Sequence, residues 1–293
     1  MKRYTINNFN QDFPGDDACL EWLKSSQYPD GVLCSQCKRI TKHHRVRGRS
    51  SYACDRCGNH IYPMAGTIFE KSTTSLHHWF YAIYLMSATR CGISAKQLER
   101  ELGVTYKTAW RMAREIRLKL MIQTNTLIGN PAEVEMDETY MGGKAKNMHK
   151  AKRDRIGGRG TAGKVAVFGA VERKGQVIAV TVPNVDRVTL LPQVRKYVPP
   201  ASIIYTDEMS AYDPLIQNGY NHHRVNHSER VYVSGNVHTN TIEGFWSLLK
   251  RGIGGVYHSV SEKYLQGYIN EYGFRFNHRK DEQPMFLTVL GKI

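Results

Sequence analysis

The chain has 293 residues, with 41 Lys and Arg against 26 Asp and Glu, for a formal net charge of +15. Its 41% hydrophobic and 10% aromatic content excludes wholesale disorder and supplies cores for about two domains. No apolar run reaches the ~18 residues of a membrane span, and a sequence pI near 9.5 points to polyanions, nucleic acid first.

The opening MKRYTINNFNQDFP lacks the apolar stretch of a secretory signal, so the chain is expected in the cytoplasm. Next, Asp16 or Asp17 can cap a short helix whose apolar face is Cys19, Leu20 and Leu23. Cys34-Ser-Gln-Cys37 and Cys54-Asp-Arg-Cys57 follow, sixteen residues apart. Two CxxC knuckles at this separation suit four thiolates around one zinc ion. The alternative, redox-active CxxC, lacks a thioredoxin-like context. Gly58 offers a positive φ just after the second knuckle. Arg45-Val46-Arg47 and Ser51-Tyr52-Ala53 fit a hairpin between the knuckles. Residues 31–65 cannot bury much core, so metal is expected to supply the fold. Lys38, Arg39, Lys42, Arg45, Arg47 and Arg49 add phosphate-seeking charge. Cys19 and Cys91 read as core thiols.

Residues 93–119 read as two helices. Ser94 can cap the first, which carries Leu98 and Leu102 and stops at Gly103. Thr105 can cap the second, with Ala109, Trp110, Ala113 and Ile116 inside. A helix, a short Gly-containing turn and a helix make a helix-turn-helix pattern. Its second helix offers Tyr106, Lys107, Arg111 and Arg114 to a DNA groove. Residues 123–132 (QTNTLIGNPA) read as a linker. The chain thus divides into a ribbon segment (1–65), a helical DNA-binding region (66–125) and a mixed α/β domain (131–293).

In the third region Glu133, Glu135 and Asp137 share one face of an extended segment. Three such carboxylates repel, so either a divalent cation at Asp137 or solvent exposure of the two Glu residues must compensate. Glu138 and Glu208, next to Asp137 and Asp207, would point away toward the surface. Residues 144–159 hold seven Lys or Arg and one Asp, a segment suited to lying along DNA. Gly158-Arg-Gly160-Thr-Ala-Gly163 matches G-x-G-x-x-G but precedes a strand, so the dinucleotide reading fails its context. Residues 164–172 and 176–182 read as strands joined at Arg173-Lys174-Gly175, and 189–198 as a helix. An apolar strand then ends at Asp207. Asp137 and Asp207 converge if their strands are neighbours.

Residues 240–250 form an amphipathic helix with Ile242, Phe245, Trp246 and Leu249 inward and Asn240, Glu243 and Lys250 on another face. His238 and His258 read as phosphate contacts or solvated loop residues. A helix-borne Glu can complete a site opened by two strand-end Asp residues. Such hard oxygen ligands favour two Mg²⁺ or Mn²⁺ ions and phosphoryl transfer.

Together these residues resemble the zinc-ribbon insertion-sequence transposases of the ISXO type, within the DDE superfamily. Cys34, Cys37, Cys54 and Cys57 match the ribbon. MDETYMGG (136–143), YTDEMSAY (205–212), HTNTIEGFWSLLKRGIGGVYHSVS (238–261) and FRFNHR (274–279) resemble successive catalytic blocks. The resemblance implies a ribonuclease-H-like mixed sheet flanked by helices, with Asp137, Asp207 and a third residue at a two-metal site. Glu243 is the first choice for that third residue, on charge and on Lys250 seven positions later; Asn240 is the alternative. Lys250 and Arg251 would face phosphate.

The implied activity is metal-dependent cleavage at terminal inverted repeats, freeing 3′-hydroxyls that attack target DNA. One structural zinc per chain, double-stranded DNA as partner, a homo-oligomer holding two ends, and a nucleoid location in a prokaryotic cell follow from it. Two rival readings are a zinc-ribbon and helix-turn-helix regulator without catalysis, and a metal-dependent nuclease that joins nothing.

Overall fold

The computed structural model describes residues 4–89, 91–123, 128, 133–143, 149–156, 160–225 and 238–293. The chain divides into two compact units, Met1–Leu120 with Asp281–Ile293, and Met121–Lys280. Most of the linker segment 123–132, and the parts of the basic and glycine-rich segments at 144–148 and 157–159, lie outside the described residues.

In the first unit, α1 (Ile6–Asp12) starts at a capping box between Thr5 and Asn8. Helix α2 (Asp16–Gln27) buries Cys19, Leu20 and Leu23, as the spacing predicts. Its cap position is Gly15, with no side-chain bond. Asp16 instead accepts from the Ser75 hydroxyl at 2.6 Å and the His77 N–H at 2.8 Å, at the start of α3 (Leu76–Ala88). An acidic side chain near one helix terminus has been recruited by the orphan amides of another.

The ribbon follows α2. Strands β1 (Val32–Cys34) and β2 (Arg39–Thr41) pair antiparallel, and β3 (His43–Arg45), β4 (Tyr52–Cys54) and β5 (His60–Ile61) form a second antiparallel sheet. Arg45 sits opposite Tyr52, the hairpin expected from sequence. Arg45 is also tied to Asp17, with Nε 2.9 Å from Oδ1. Cys91 is exposed, unlike the buried Cys19, because it lies between helices instead of within one.

Helices α4 (Ala95–Leu102) and α5 (Tyr106–Glu115) carry the expected caps. The Ser94 and Thr105 hydroxyls accept from the Gln97 and Thr108 amides, and Gly103 is left-handed at φ +63°. Leu98, Leu102, Ala109, Met112 and Ala113 are buried. Trp110 is only half-buried.

The second unit holds β6 (Glu133–Met141), α6 (Lys150–Ile156), β7 (Val165–Glu172), β8 (Val177–Val182), α7 (Arg187–Tyr197), β9 (Ile203–Thr206), a 3₁₀ helix (Ser210–Asn218), β10 (Asn221–Arg224), α8 (Asn240–Gly252) and α9 (Glu262–Asn277). The five strands lie in the order β10-β9-β6-β7-β8. Strand β7 is antiparallel to β6 and β8, whereas β9 runs parallel to β6 and β10 parallel to β9. This mixed sheet, its second strand reversed and both faces covered by helices, is the ribonuclease-H-like arrangement. Phe168, Ala170 and Ile178 pack with Leu190, Val194, Tyr212 and Leu215 on one face. Val167, Val171 and Ala179 pack with Ile242, Phe245, Trp246, Leu249 and Ile269 on the other.

The final helix, α10 (Met285–Leu290), belongs to the first unit. Phe286 lies 5.8 Å from the Phe9 ring and 5.9 Å from the Phe13 ring. The expected span 131–293 therefore runs past the second unit, which ends at Lys280. Among the described residues no helix is long and apolar enough to cross a membrane.

Candidate active site

The four ribbon cysteines form one cluster, with all Sγ atoms within 4.8 Å of one another. Cys34 and Cys57 sulfurs are 3.5 Å apart, and Cys37 and Cys54 sulfurs 3.9 Å apart. A tetrahedron with bonds of ~2.3 Å has sulfur–sulfur edges near ~3.8 Å, so the cluster fits zinc. Both knuckles close in the same way: Lys38 N–H donates to the Cys34 carbonyl at 2.9 Å, and Gly58 N–H to the Cys54 carbonyl at 3.0 Å. The residue after each second cysteine is left-handed, Lys38 at φ 56° and Gly58 at φ 71°. The Thr41 hydroxyl beside Cys54 pulls that thiol down to about 6, toward the thiolate a metal needs.

The acidic residues lie in the second unit. Strand β6 pairs β9 in parallel, with Glu133 opposite Ile203 and Glu135 opposite Tyr205. Asp137 lies two residues past Glu135 on β6, and Asp207 two residues past Tyr205, just beyond β9. Burial pushes the Asp137 carboxyl up to about 6, and the charges of Asp207 and Glu243 add to the push. Trp246 Nε1 of α8 donates to Asp137 Oδ2 at 2.9 Å. Room for that indole exists because the residue opposite Asp137 on β7 is Gly169. A Cβ there would lie 2.5 Å from Trp246 Cη2 and 3.1 Å from Ile242 Cδ1.

Asn240 and Glu243, in the first turn of α8, are exposed, as are Lys250 and Arg251 in its last turn. The Thr239 hydroxyl donates to Glu243 Oε1 at 3.0 Å. Asp207 is half-buried and its Oδ1 accepts from Met209 N–H at 3.0 Å. Asp207 and Glu243 both act on the charge of Asp137. Among the described residues, only the cysteines bring three or more candidate ligand atoms within 4.8 Å. Two ions about 4 Å apart need a wider set of oxygens than one ion does. Hard oxygen donors, with Asp137 buried and pushed up by its acidic neighbours, suit a divalent cation here.

Several expectations are corrected here. Glu135 is fully buried, not solvated, and its compensation comes from Arg173 at 2.9 Å. Arg173 also reaches Glu133 at 2.7 Å and holds that carboxyl below its usual range. Glu138 is half-buried, with its Oε1 buried, and so is not a plain surface residue. Burial and the charges of Asp137 and Asp207 push it up to about 8. His238 is half-buried, with Nδ1 3.2 Å from Glu135 Oε1 but without hydrogen-bond geometry. His258 is exposed with φ 60°.

Trp246, read as core from its spacing, also supports a carboxylate. Arg173, read as part of a turn, is the central cation of the acidic strand. Arg173 directly follows the strand paired with β6, a pairing that depends on topology. In the first unit Lys107 and Arg111 are exposed. The Arg111 guanidinium lies 5.6 Å from the Trp79 ring, and Arg114 pairs with Glu115 at 2.8 Å.

Comparison with known proteins bears on both units. The ISXO2-like transposase domain family matches residues 127–277, and the transposase zinc-ribbon domain family matches residues 14–60. The chain is 29% identical to an uncharacterized protein in transposable element ISH50 of Halobacterium salinarum, over 95% of this chain and 97% of that protein. It is 36% identical to an uncharacterized transposase-like protein of Haemophilus influenzae, over 36% of this chain and 84% of that protein. Among solved structures, the Mos1 strand transfer complex aligns with TM-score 0.29 and 11% identity, over 72% of this chain and 73% of that one.

Proposed function

Because the chain belongs to the ISXO2-like transposase family, we propose that it cuts DNA at the terminal inverted repeats of an insertion sequence and joins the freed 3′-hydroxyls to target DNA. The observation that carries this reading is that Asp207 directly follows the strand paired in parallel with the strand of Asp137, and that the charges of Asp207 and Glu243 act on Asp137. Asp137, Asp207 and Glu243 would hold two Mg²⁺ or Mn²⁺ ions, which when bound activate the attacking oxygen and stabilise the leaving one at phosphorus. Glu243 is favoured over Asn240 because its charge already acts on Asp137.

The remaining groups bind and orient. Trp246 fixes Asp137 from one side, and the Thr239 hydroxyl restrains Glu243. Lys250 and Arg251 offer cations to the DNA backbone. Lys107, Arg111 and Arg114 on α5 grip the duplex, and the ribbon, held by zinc on Cys34, Cys37, Cys54 and Cys57, stiffens that grip. Two ends must be held together, so the working form is a homo-oligomer on DNA, acting on the nucleoid of a prokaryotic cell.

The test is cleavage of DNA carrying the element's own ends by wild type and by Asp137→Asn, Asp207→Asn, Glu243→Gln and Asn240→Ala, with Mg²⁺, Mn²⁺ or EDTA. Nicking that needs metal and is lost in the first three variants supports the assignment. Full activity in Glu243→Gln with loss in Asn240→Ala moves the third position to Asn240. Binding without cutting in wild type favours the regulator reading.

A further inference from the structure

Glu135 lies on the same strand face as Asp137, yet all its accepting capacity is committed elsewhere. Its Oε2 accepts the Thr241 N–H at 2.7 Å and the Ile242 N–H at 3.1 Å. Its Oε1 accepts the Thr241 hydroxyl at 3.0 Å and Arg173 Nε at 2.9 Å. The two amides are orphan donors of the first turn of α8, which has no capping bond of its own, because the Thr239 hydroxyl goes to Glu243. A carboxylate on a strand therefore caps a helix distant in sequence and meets the positive end of its dipole. Four donors on two oxygens leave Glu135 no part in holding a cation.

Arg173 locks this cap in place. It donates to Glu133, Glu135 and the His238 carbonyl at 2.7, 2.9 and 2.9 Å, and its guanidinium lies 4.1 Å from the Tyr205 ring centre. Its own amide donates to the Glu133 carbonyl at 2.9 Å. The ends of β6, β7 and β9 thus all converge on the start of α8. Asp137 lies two residues beyond Glu135 on a stiff strand, and Glu243 two residues beyond Thr241 on the capped helix.

We infer that Glu135, braced by Arg173, is a positioning residue that sets the separation between the Asp137 and Glu243 carboxylates. This rests on the reading of those two residues as metal ligands. Glu135→Gln keeps the shape but puts an NH₂ against amide and guanidinium donors, so the first turn of α8 must shift. Errors of about 1 Å in such sites cost on the order of a hundredfold in rate.

The probe is Tb³⁺, a hard cation whose emission a nearby tryptophan sensitises; Trp246 touches Asp137 and suits this role. It is titrated into the full chain as wild type, Asp137→Asn, Glu135→Gln and the milder Thr241→Val, with amide exchange of α8 measured in parallel. Wild type is expected to show emission that Asp137→Asn abolishes. Glu135→Gln is expected to bind Tb³⁺ at least tenfold more weakly, with faster exchange confined to the first turn of α8. Thr241→Val is expected to weaken binding two- to fivefold, and it carries the test if Glu135→Gln does not fold. Wild-type affinity in the folded variants, with Asp137-dependent emission intact, overturns the inference alone. Absence of Asp137-dependent emission in wild type overturns the metal site itself and reduces Glu135 to an ordinary helix cap.

Discussion

Gly169→Ala probes the link between packing and the site most sharply. The added methyl would fall on the Trp246 indole, 2.5 Å from Cη2, with Ile242 Cδ1 at 3.1 Å on another side. The indole is 4% exposed, so it has little room to retreat. Overpacking of a core costs about 1–3 kcal/mol. Displacing the ring also lengthens the bond from Nε1 to Asp137, and a hydrogen bond to a charged group contributes about 1.5–3 kcal/mol. Replacing a strand glycine with alanine returns about 0.5–1 kcal/mol. The net expectation is a loss of about 2–4 kcal/mol in the second unit. Because the chain has two units, native-state amide exchange of β6 and β7 is a better assay than one global melt. A loss of about 3 kcal/mol accelerates exchange of the most protected amides on the order of a hundredfold. The control is the same substitution in Trp246→Phe, whose smaller ring lacks the clashing edge. There the alanine should be neutral or slightly stabilising, a strong coupling between adjacent sites. An equal cost in both backgrounds would refute the reasoning.

Zinc removal should unfold the ribbon: one zinc per chain by metal analysis, lost with a chelator or in Cys54→Ser, with β1–β5 amides then exchanging freely. Four fully reactive thiols in metal-free, natively folded protein would contradict this. His222 should make the sheet edge acid-sensitive. Burial holds its ring down to about 4, and Thr206 Oγ1 lies 2.8 Å from Nε2. Between the ordinary value of 6.5 and about 4 the folded state binds fewer protons than the unfolded state, so stability falls as pH drops through that window. His222→Gln should flatten the decline in unfolding midpoint; an unchanged slope would show that other groups carry it.

Features set by neighbours in sequence were legible. Ser94, Gly103 and Thr105 mark helix ends through their own local chemistry, and the two CxxC pairs set a metal-binding spacing within one small ribbon. The inward face of α8 followed from its periodicity. What escaped depends on distant contacts. Asp16 caps α3 rather than its own helix because Ser75 and His77 are brought to it by packing. The partners of Glu135, Arg173 and the amides of α8, come from segments distant in sequence, so nothing local reveals them. The docking of α10 into the first unit follows from aromatic contacts with Phe9 and Phe13, far away in sequence. The convergence of Asp137 and Asp207 hung on strand adjacency, a property of topology.

The most direct test of the central claim is a joining assay with precut ends, which isolates strand transfer from cleavage. End DNA carrying a free 3′-hydroxyl is incubated with a target plasmid, the protein and Mg²⁺ or Mn²⁺, and end-to-target junctions are sequenced. The account predicts junctions made by wild type, absent with EDTA and absent in Asp137→Asn and Asp207→Asn that still bind the ends. Junctions made equally well by the Asp variants, or bound ends that wild type never joins under either metal, would contradict it.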